Sequence, residues 1–211
     1  MDVKTVLRKF ACTALVLPGL AASVACHASD NDGSAWDQAR AQLSASQQGP
    51  MSFAVERWKL LTSSNRFAFN DYAGFVLSYP GFPDEEKLRR YAESALDRDF
   101  ADPARLVAFF DREPPLTNPG RAQYALALQA LGRPEAAQVA RAAWRGGAMS
   151  DSAESSLLAG WGTTFTQDDH DARMDALLWA GAAGQAAREL AWVSPARRPI
   201  DAARLAALQG T

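Results

Sequence analysis

Both cysteines of this chain, Cys12 and Cys26, fall before Ala28, and no later position holds another. The long part beyond Ala28 can form neither a disulfide framework nor a thiolate metal site, and its apolar core alone must hold it together. A dominant charge is also missing. Past Ala28, 19 basic residues face 23 acidic ones, a net charge of −4 with the signs interspersed. Such a balance gives no reason to expect nucleic acid or anionic lipid as a partner. No later segment approaches the run of about 20 apolar residues that spans a bilayer. The chain also lacks a glycine-rich phosphate loop, a Gly-x-Ser-x-Gly elbow and a His-Glu-x-x-His motif. No catalytic, cofactor-binding or metal-ligating residue is therefore assigned from motifs, and no cofactor is expected.

The amino-terminal segment 1–28 has a character of its own. Lys4, Arg8 and Lys9 make a basic start, and an uncharged run from Phe10 to Ala25 follows, broken by Pro18-Gly19. Cys26-His27-Ala28 places small residues at −3 and −1 of a cleavage site, before the polar stretch Ser29-Asp30-Asn31-Asp32-Gly33. This is the three-part pattern of a secretory signal peptide cut after Ala28, so a periplasmic protein is expected. Ser23-Val24-Ala25-Cys26 could serve as a lipoprotein box, but serine stands where leucine is usual, and that reading ranks second.

The remainder reads as all-α. Helical periodicity recurs, punctuated at intervals of roughly 12 to 20 residues, and no alternating strand pattern interrupts it. A polar lead-in covers residues 29–50, with a helix over Trp36–Gln47 ended by Gly49-Pro50. From residue 51 to 211 about ten short helices are predicted, beginning with Ser52–Leu61. Tyr72, Phe75, Val76 and Tyr79 form an i, i+3, i+4, i+7 stripe, stopped by Pro80-Gly81-Phe82-Pro83. Leu88, Tyr91, Ala92, Ala95 and Leu96 make the next. Asp102-Pro103, Asn118-Pro119 and Ser194-Pro195 each place a capping side chain before a proline. Asp151…Glu154 and Thr166…Asp169 resemble capping boxes, while Gly132, Gly146-Gly147 and Gly184 mark expected helix ends. Tyr124–Trp144 reads as helix, turn, helix, and Ala176–Leu190 echoes it about 50 residues later. Two such copies suggest helical pairs stacked as a solenoid, with a compact bundle as the alternative.

Few residues invite chemistry. Asp168-Asp169-His170-Asp171 has metal-ligand types, yet consecutive helical side chains diverge by about 100° and do not converge on one ion. His170 shares a face with Met174 and Leu177, which suits a packed histidine. Asp84-Glu85-Glu86 complements a helix dipole. The six tryptophans (36, 58, 144, 161, 179 and 192) suit helix–helix contacts better than a sugar platform. Arg197-Arg198, next to Pro199, reads as a solvated turn rather than an anion site.

Several stretches resemble one family. Residues 67–85 (FAFNDYAGFVLSYPGFPDE) are similar to the amino-terminal helical region of soluble lytic murein transglycosylases, in the version associated with sphingomonads. Phe109–Thr117 (FFDREPPLT), Asp169–Trp179 (DHDARMDALLW) and Val193–Arg198 (VSPARR) fit the same family in order and spacing. The resemblance runs from about Trp58 to the last residue. It implies a periplasmic enzyme that cuts between N-acetylmuramic acid and N-acetylglucosamine without water, leaving 1,6-anhydro ends. It further implies a superhelix of short helices, the U-domain, ahead of a lysozyme-like domain with one glutamate as acid and base in a Glu-Ser-x-Phe setting.

This chain departs from that pattern. Glu93-Ser94-Ala95-Leu96 and Glu154-Ser155-Ser156-Leu157 carry the Glu-Ser pair without the phenylalanine, and no Gly-Leu-Met-Gln follows. Each glutamate is expected to face solvent or cap a helix start, and neither is assigned catalysis. The final helix, about Ile200–Gln209, offers Ile200, Ala203, Leu205 and Leu208 with no partner after it, so the superhelix is expected to be incomplete at its carboxyl end. The expected role is a non-catalytic scaffold whose partners are peptidoglycan glycan strands, a catalytic domain missing here, or both. No nucleic acid and no stable membrane insertion are expected. The second expectation, from a different class, is a free-standing periplasmic tetratricopeptide-like adaptor that binds proteins.

Overall fold

The computed structural model describes residues 34–46 and 49–210. The leader, both cysteines, the cleavage site and Gln47 lie outside them. Among the described residues there are eleven α-helices, one 3-10 turn at Gly162–Thr164 and no strand, so the all-α reading stands. Helix α1 (Ser34–Ser46) belongs to one unit and α2–α11 to a second. Within its own unit α1 is a polar helix, exposed at every residue whose burial is described.

The second unit runs α2 (Pro50–Thr62), α3 (Phe69–Ser78), α4 (Glu85–Ala95), α5 (Pro103–Phe110), α6 (Asn118–Ala130), α7 (Ala136–Arg145), α8 (Asp151–Trp161), α9 (Gln167–Trp179), α10 (Ala183–Glu189) and α11 (Arg198–Gln209). Their starts show how the sequence is cut into helices. Asp102 accepts from the Arg105 N–H at 3.1 Å and Pro103 takes the first helical position, where its missing N–H costs nothing. Thr166 and Asp169 form the expected reciprocal box. Elsewhere the cap lies one residue off. Thr117, not Asn118, caps α6 and accepts from the Gly120 N–H at 3.1 Å. Ser150, not Asp151, caps α8. Ser194-Pro195 opens a turn instead, its carbonyl accepting from the Arg197 and Arg198 N–H groups before α11 starts. Gly184 lies inside α10, and the left-handed residue after α9 is Gly181, at φ 69°.

The expected stripes are the core. Phe69, Tyr72, Ala73, Phe75 and Val76 of α3 are buried against Leu88, Ala92 and Ala95 of α4, while Tyr79 is only partly covered. Ala136, Ala140, Ala143 and Trp144 are buried on α7, which packs closely on α6 because alanines keep that face low. One apolar cluster extends over α2–α8, and a second comprises Met174, Leu177, Leu178, Ala186, Val193 and Leu205.

Packing follows chain order. Each helix of this unit touches its sequence neighbour or the one beyond: α2 on α3 and α4, α4 on α6, α6 on α7 and α8, α7 on α9, α9 on α10 and α11. The starts fall into two interleaved series, at Pro50, Glu85, Asn118, Asp151 and Ala183, and at Phe69, Pro103, Ala136, Gln167 and Arg198. Within each series the spacing stays between 31 and 35 residues.

The apolar residues of the last helix divide. Leu205 is 6% exposed and packs into the second cluster, while Ile200 and Leu208 stay open to solvent. Leu205→Ala and Leu128→Ala should therefore each cost about 2–5 kcal/mol, and Leu208→Ala about 0.5 kcal/mol or less. Urea unfolding of the three variants checks this ordering. A Leu205→Ala cost as small as that of Leu208→Ala would contradict it.

Candidate functional site

The four residues Asp168–Asp171 do separate jobs, as their divergence around α9 requires. Asp168 is exposed. Asp169 accepts from the Thr166 N–H at 2.9 Å, Arg145 Nη1 at 2.9 Å and the Thr166 hydroxyl, and lies 3.2 Å from Arg141 Nε. Asp171 accepts from the Ser194 N–H at 2.8 Å. His170 turns inward and places Nδ1 2.6 Å from Glu189 Oε1. No group of three or more His, Cys, Asp or Glu among the described residues could hold a metal ion.

The inward side of α9 leads to the main concentration of buried charge. Arg173 is fully buried one turn after His170. Its Nη1 donates to the Gly147 carbonyl at 2.8 Å and its Nε to Glu189 Oε2 at 3.2 Å. Nη2 lies 3.1 Å from Glu154 Oε2, an ion pair without hydrogen-bond alignment. The guanidinium carbon sits 3.9 Å from the centre of the Trp144 ring, a cation on the negative face of an indole. Arg188 closes the outer edge on Glu154 at 2.9 Å and Asp151 at 2.8 Å. Trp144 stacks on Phe165 at 4.8 Å, and the largely exposed Trp192 stacks on His170 at 5.6 Å.

Burial sets the electrostatics. It pushes Glu189 above the usual carboxylate range, although the hydrogen bond from His170 and the charge of Arg173 pull the other way. It also lowers Arg173 despite Glu189 and Glu154 nearby. Asp169 goes in the opposite direction: burial raises it, but the Thr166 N–H, Arg145, the Thr166 hydroxyl and Arg141 together hold it below its ordinary value.

Both Glu-Ser glutamates are buried, so neither faces solvent. Glu93, 1% exposed, reaches from α4 to accept from the Leu116 and Thr117 N–H groups at 2.7 Å each and from the Thr117 hydroxyl. It thereby serves the start of α6 from a different helix, and a Cβ on Gly120 would strike its carboxylate. Glu154 is spent on Arg173 and Arg188. Arg197 lies in the turn before α11 and pairs at the surface with Asp175 at 2.7 Å, while Arg198 is exposed. Asp84 begins α4 at φ 58°, and Glu86 pairs with Arg90 at 2.7 Å.

Motif reading missed Arg173, Glu189, Asp175 and Arg204. Arg173 lies between His170 and Leu177 on the apolar stripe of α9, where an arginine needs a buried partner, and that position was the available signal. The tryptophans also divide. Trp144 and Trp161 are buried, Trp58 is partly covered and the largely exposed Trp192 still stacks on His170, but Trp36 and Trp179 are exposed, so the helix-contact reading fails for those two. No protein-family model, curated protein or solved structure matches the chain.

Two measurements follow. Because Asp169 is lowered in the folded state, its stabilisation is present above its ordinary value of 3.8 and is lost as pH falls through the folded value. Asp169→Asn should lower Tm at pH 7 and flatten the fall of Tm below about pH 4, and an acid limb as steep as the parent's would refute this. Arg173→Met should cost about 3–5 kcal/mol by stranding buried carboxylates, with part restored by adding Glu189→Gln. Additive losses in that double variant would show that the two residues are not coupled.

Proposed function

We propose that this chain is the non-catalytic helical scaffold of a periplasmic peptidoglycan lytic transglycosylase, its helix pairs stacked as a superhelix that guides glycan strands or orients a catalytic domain. The observation that carries the scaffold reading is the 31–35-residue spacing of both helix series, combined with contacts confined to near neighbours. Helical-pair repeats have this period, and a stack in which each unit touches only the next is a solenoid. Polar contacts recur at a common, shorter interval. Trp58 donates to the Pro83 carbonyl, Arg89 to Pro114, Asn118 to Ala143 and Arg141 to Thr164, each 23 to 25 residues along the chain. The family is supported by the resemblance over residues 67–85, 109–117, 169–179 and 193–198. The commitment of Glu93 and Glu154 to structural bonds supports the absence of glycan cleavage.

The same period favours the second reading, a free-standing tetratricopeptide-like adaptor, because repeats of that kind run to about 34 residues. An apolar groove of about 320 Å³ between α5 and α6, lined by Leu96, Leu106 and Leu126, would suit a peptide side chain.

Peptidoglycan separates the two. The exported protein, beginning at Ser29, should co-sediment with purified sacculi and release no 1,6-anhydro-muropeptides. Failure to sediment moves the adaptor ahead. Anhydro products that vanish in Glu93→Gln or Glu154→Gln would overturn the non-catalytic assignment.

A further inference from the structure

One face of α9, half-buried for most of its length, ends in an indole that the packing does not cover. Ala172, Asp175, Ala176 and Trp179 recur at i, i+3, i+4 and i+7, so they share one face of the helix. With Arg204 of α11 they line an open groove of about 410 Å³, within the range of roughly 300–1,000 Å³ usual for small-molecule sites. Trp179 is 91% exposed although Leu177 and Leu178 beside it are buried. Leaving the largest apolar side chain in water is unfavourable, and nothing in the packing of α9 requires an indole there.

The polar side of the groove is fixed. Asp175 accepts from Arg204 Nη1 at 2.7 Å and pairs with Arg197 Nη2 at 2.7 Å. Both arginines also lie near the buried Asp201, at 3.2 and 3.6 Å. Two positive and two negative charges cancel, so the groove favours neither an anion nor a cation. What it presents is a flat indole face, an alanine floor, and a rigid set of guanidinium donors and carboxylate acceptors.

We propose that the α9–α11 groove is a stacking site for a neutral pyranose ring. A pyranose offers polarised C–H groups on one face, complementary to the negative face of an indole. Around its edge stand hydroxyls, each both donor and acceptor, which match an Arg–Asp rim. An anionic ligand would have to displace Asp175, and a purely apolar one would leave the rim unpaired. The proposal deepens the glycan reading above and rests on it only for the source of the sugar.

The test is calorimetric titration of the whole exported protein with a β-1,4-linked N-acetylglucosamine hexamer, together with sedimentation on sacculi. Trp179→Ala should weaken hexamer binding about tenfold, while Phe100→Ala, an equally exposed aromatic on the α4–α5 loop, leaves it unchanged. Both positions are exposed, so each variant should keep the parent Tm, which verifies folding. Equal binding by parent and Trp179→Ala, or no binding by the parent, overturns the groove. If the protein still sediments on sacculi in either case, the scaffold reading stands without this site. Loss of hexamer binding in Trp179→Ala with no sedimentation would instead keep the site and sink the peptidoglycan reading.

Discussion

One side chain organises the carboxyl-terminal half of this molecule. Arg173 has no solvent exposure, and a guanidinium removed from water must find compensation at every nitrogen and on its flat faces. It obtains this from the Trp144 ring on α7, the Gly147 carbonyl in the α7–α8 loop, Glu154 on α8 and Glu189 on α10. Four pieces of chain besides α9 are brought to one point, close to where the α2–α8 core gives way to the α9–α11 core. Burial pushes Glu189 up and Arg173 down, each against the pull of the other. Removing any one member of such a network leaves the others charged and unpaired in the core.

A related device operates earlier in the chain with a different residue. Glu93 satisfies the N–H groups that precede α6 from α4, two helices back. An isolated helix must find such acceptors in its own sequence. A stack can supply them from the preceding pair, which couples the position of one hairpin to the start of the next. Asn118 acts similarly, reaching the Ala143 carbonyl and, at 3.2 Å, the Ala148 carbonyl, and so fixing α7 and its exit relative to α6.

The helices were legible because their signals are local. Apolar stripes on α3, α4 and α7, the Asp102-Pro103 start and the Thr166…Asp169 box all act within one or two turns, and each lies where the sequence places it. Caps moved by one residue where a second polar side chain had other work, as with Asn118, drawn off to carbonyls at the end of α7 and just after it. The repeat itself stayed hidden. Its period lies in helix starts and side-chain reach, not in recurring residue identities. Two similar-looking hairpins, at Tyr124 and Ala176, therefore suggested a longer step than the 31–35 that the helix starts give. Arg173 and Glu189 were missed for a similar reason: their pairing exists only once α9 and α10 fold together.

One glycine shows how finely the seat of α9 is set. Gly147 stands at φ 88°, and a Cβ there would lie 2.8 Å from the Ala176 Cβ on α9. At this point backbone meets methyl, with no side chain between them to yield. Any displacement here acts through a lever, since every element beyond α9 rides on the angle at which α9 leaves the joint. A single methyl group added at position 147 would therefore shift where α9, and the α10 and α11 packed on it, come to rest.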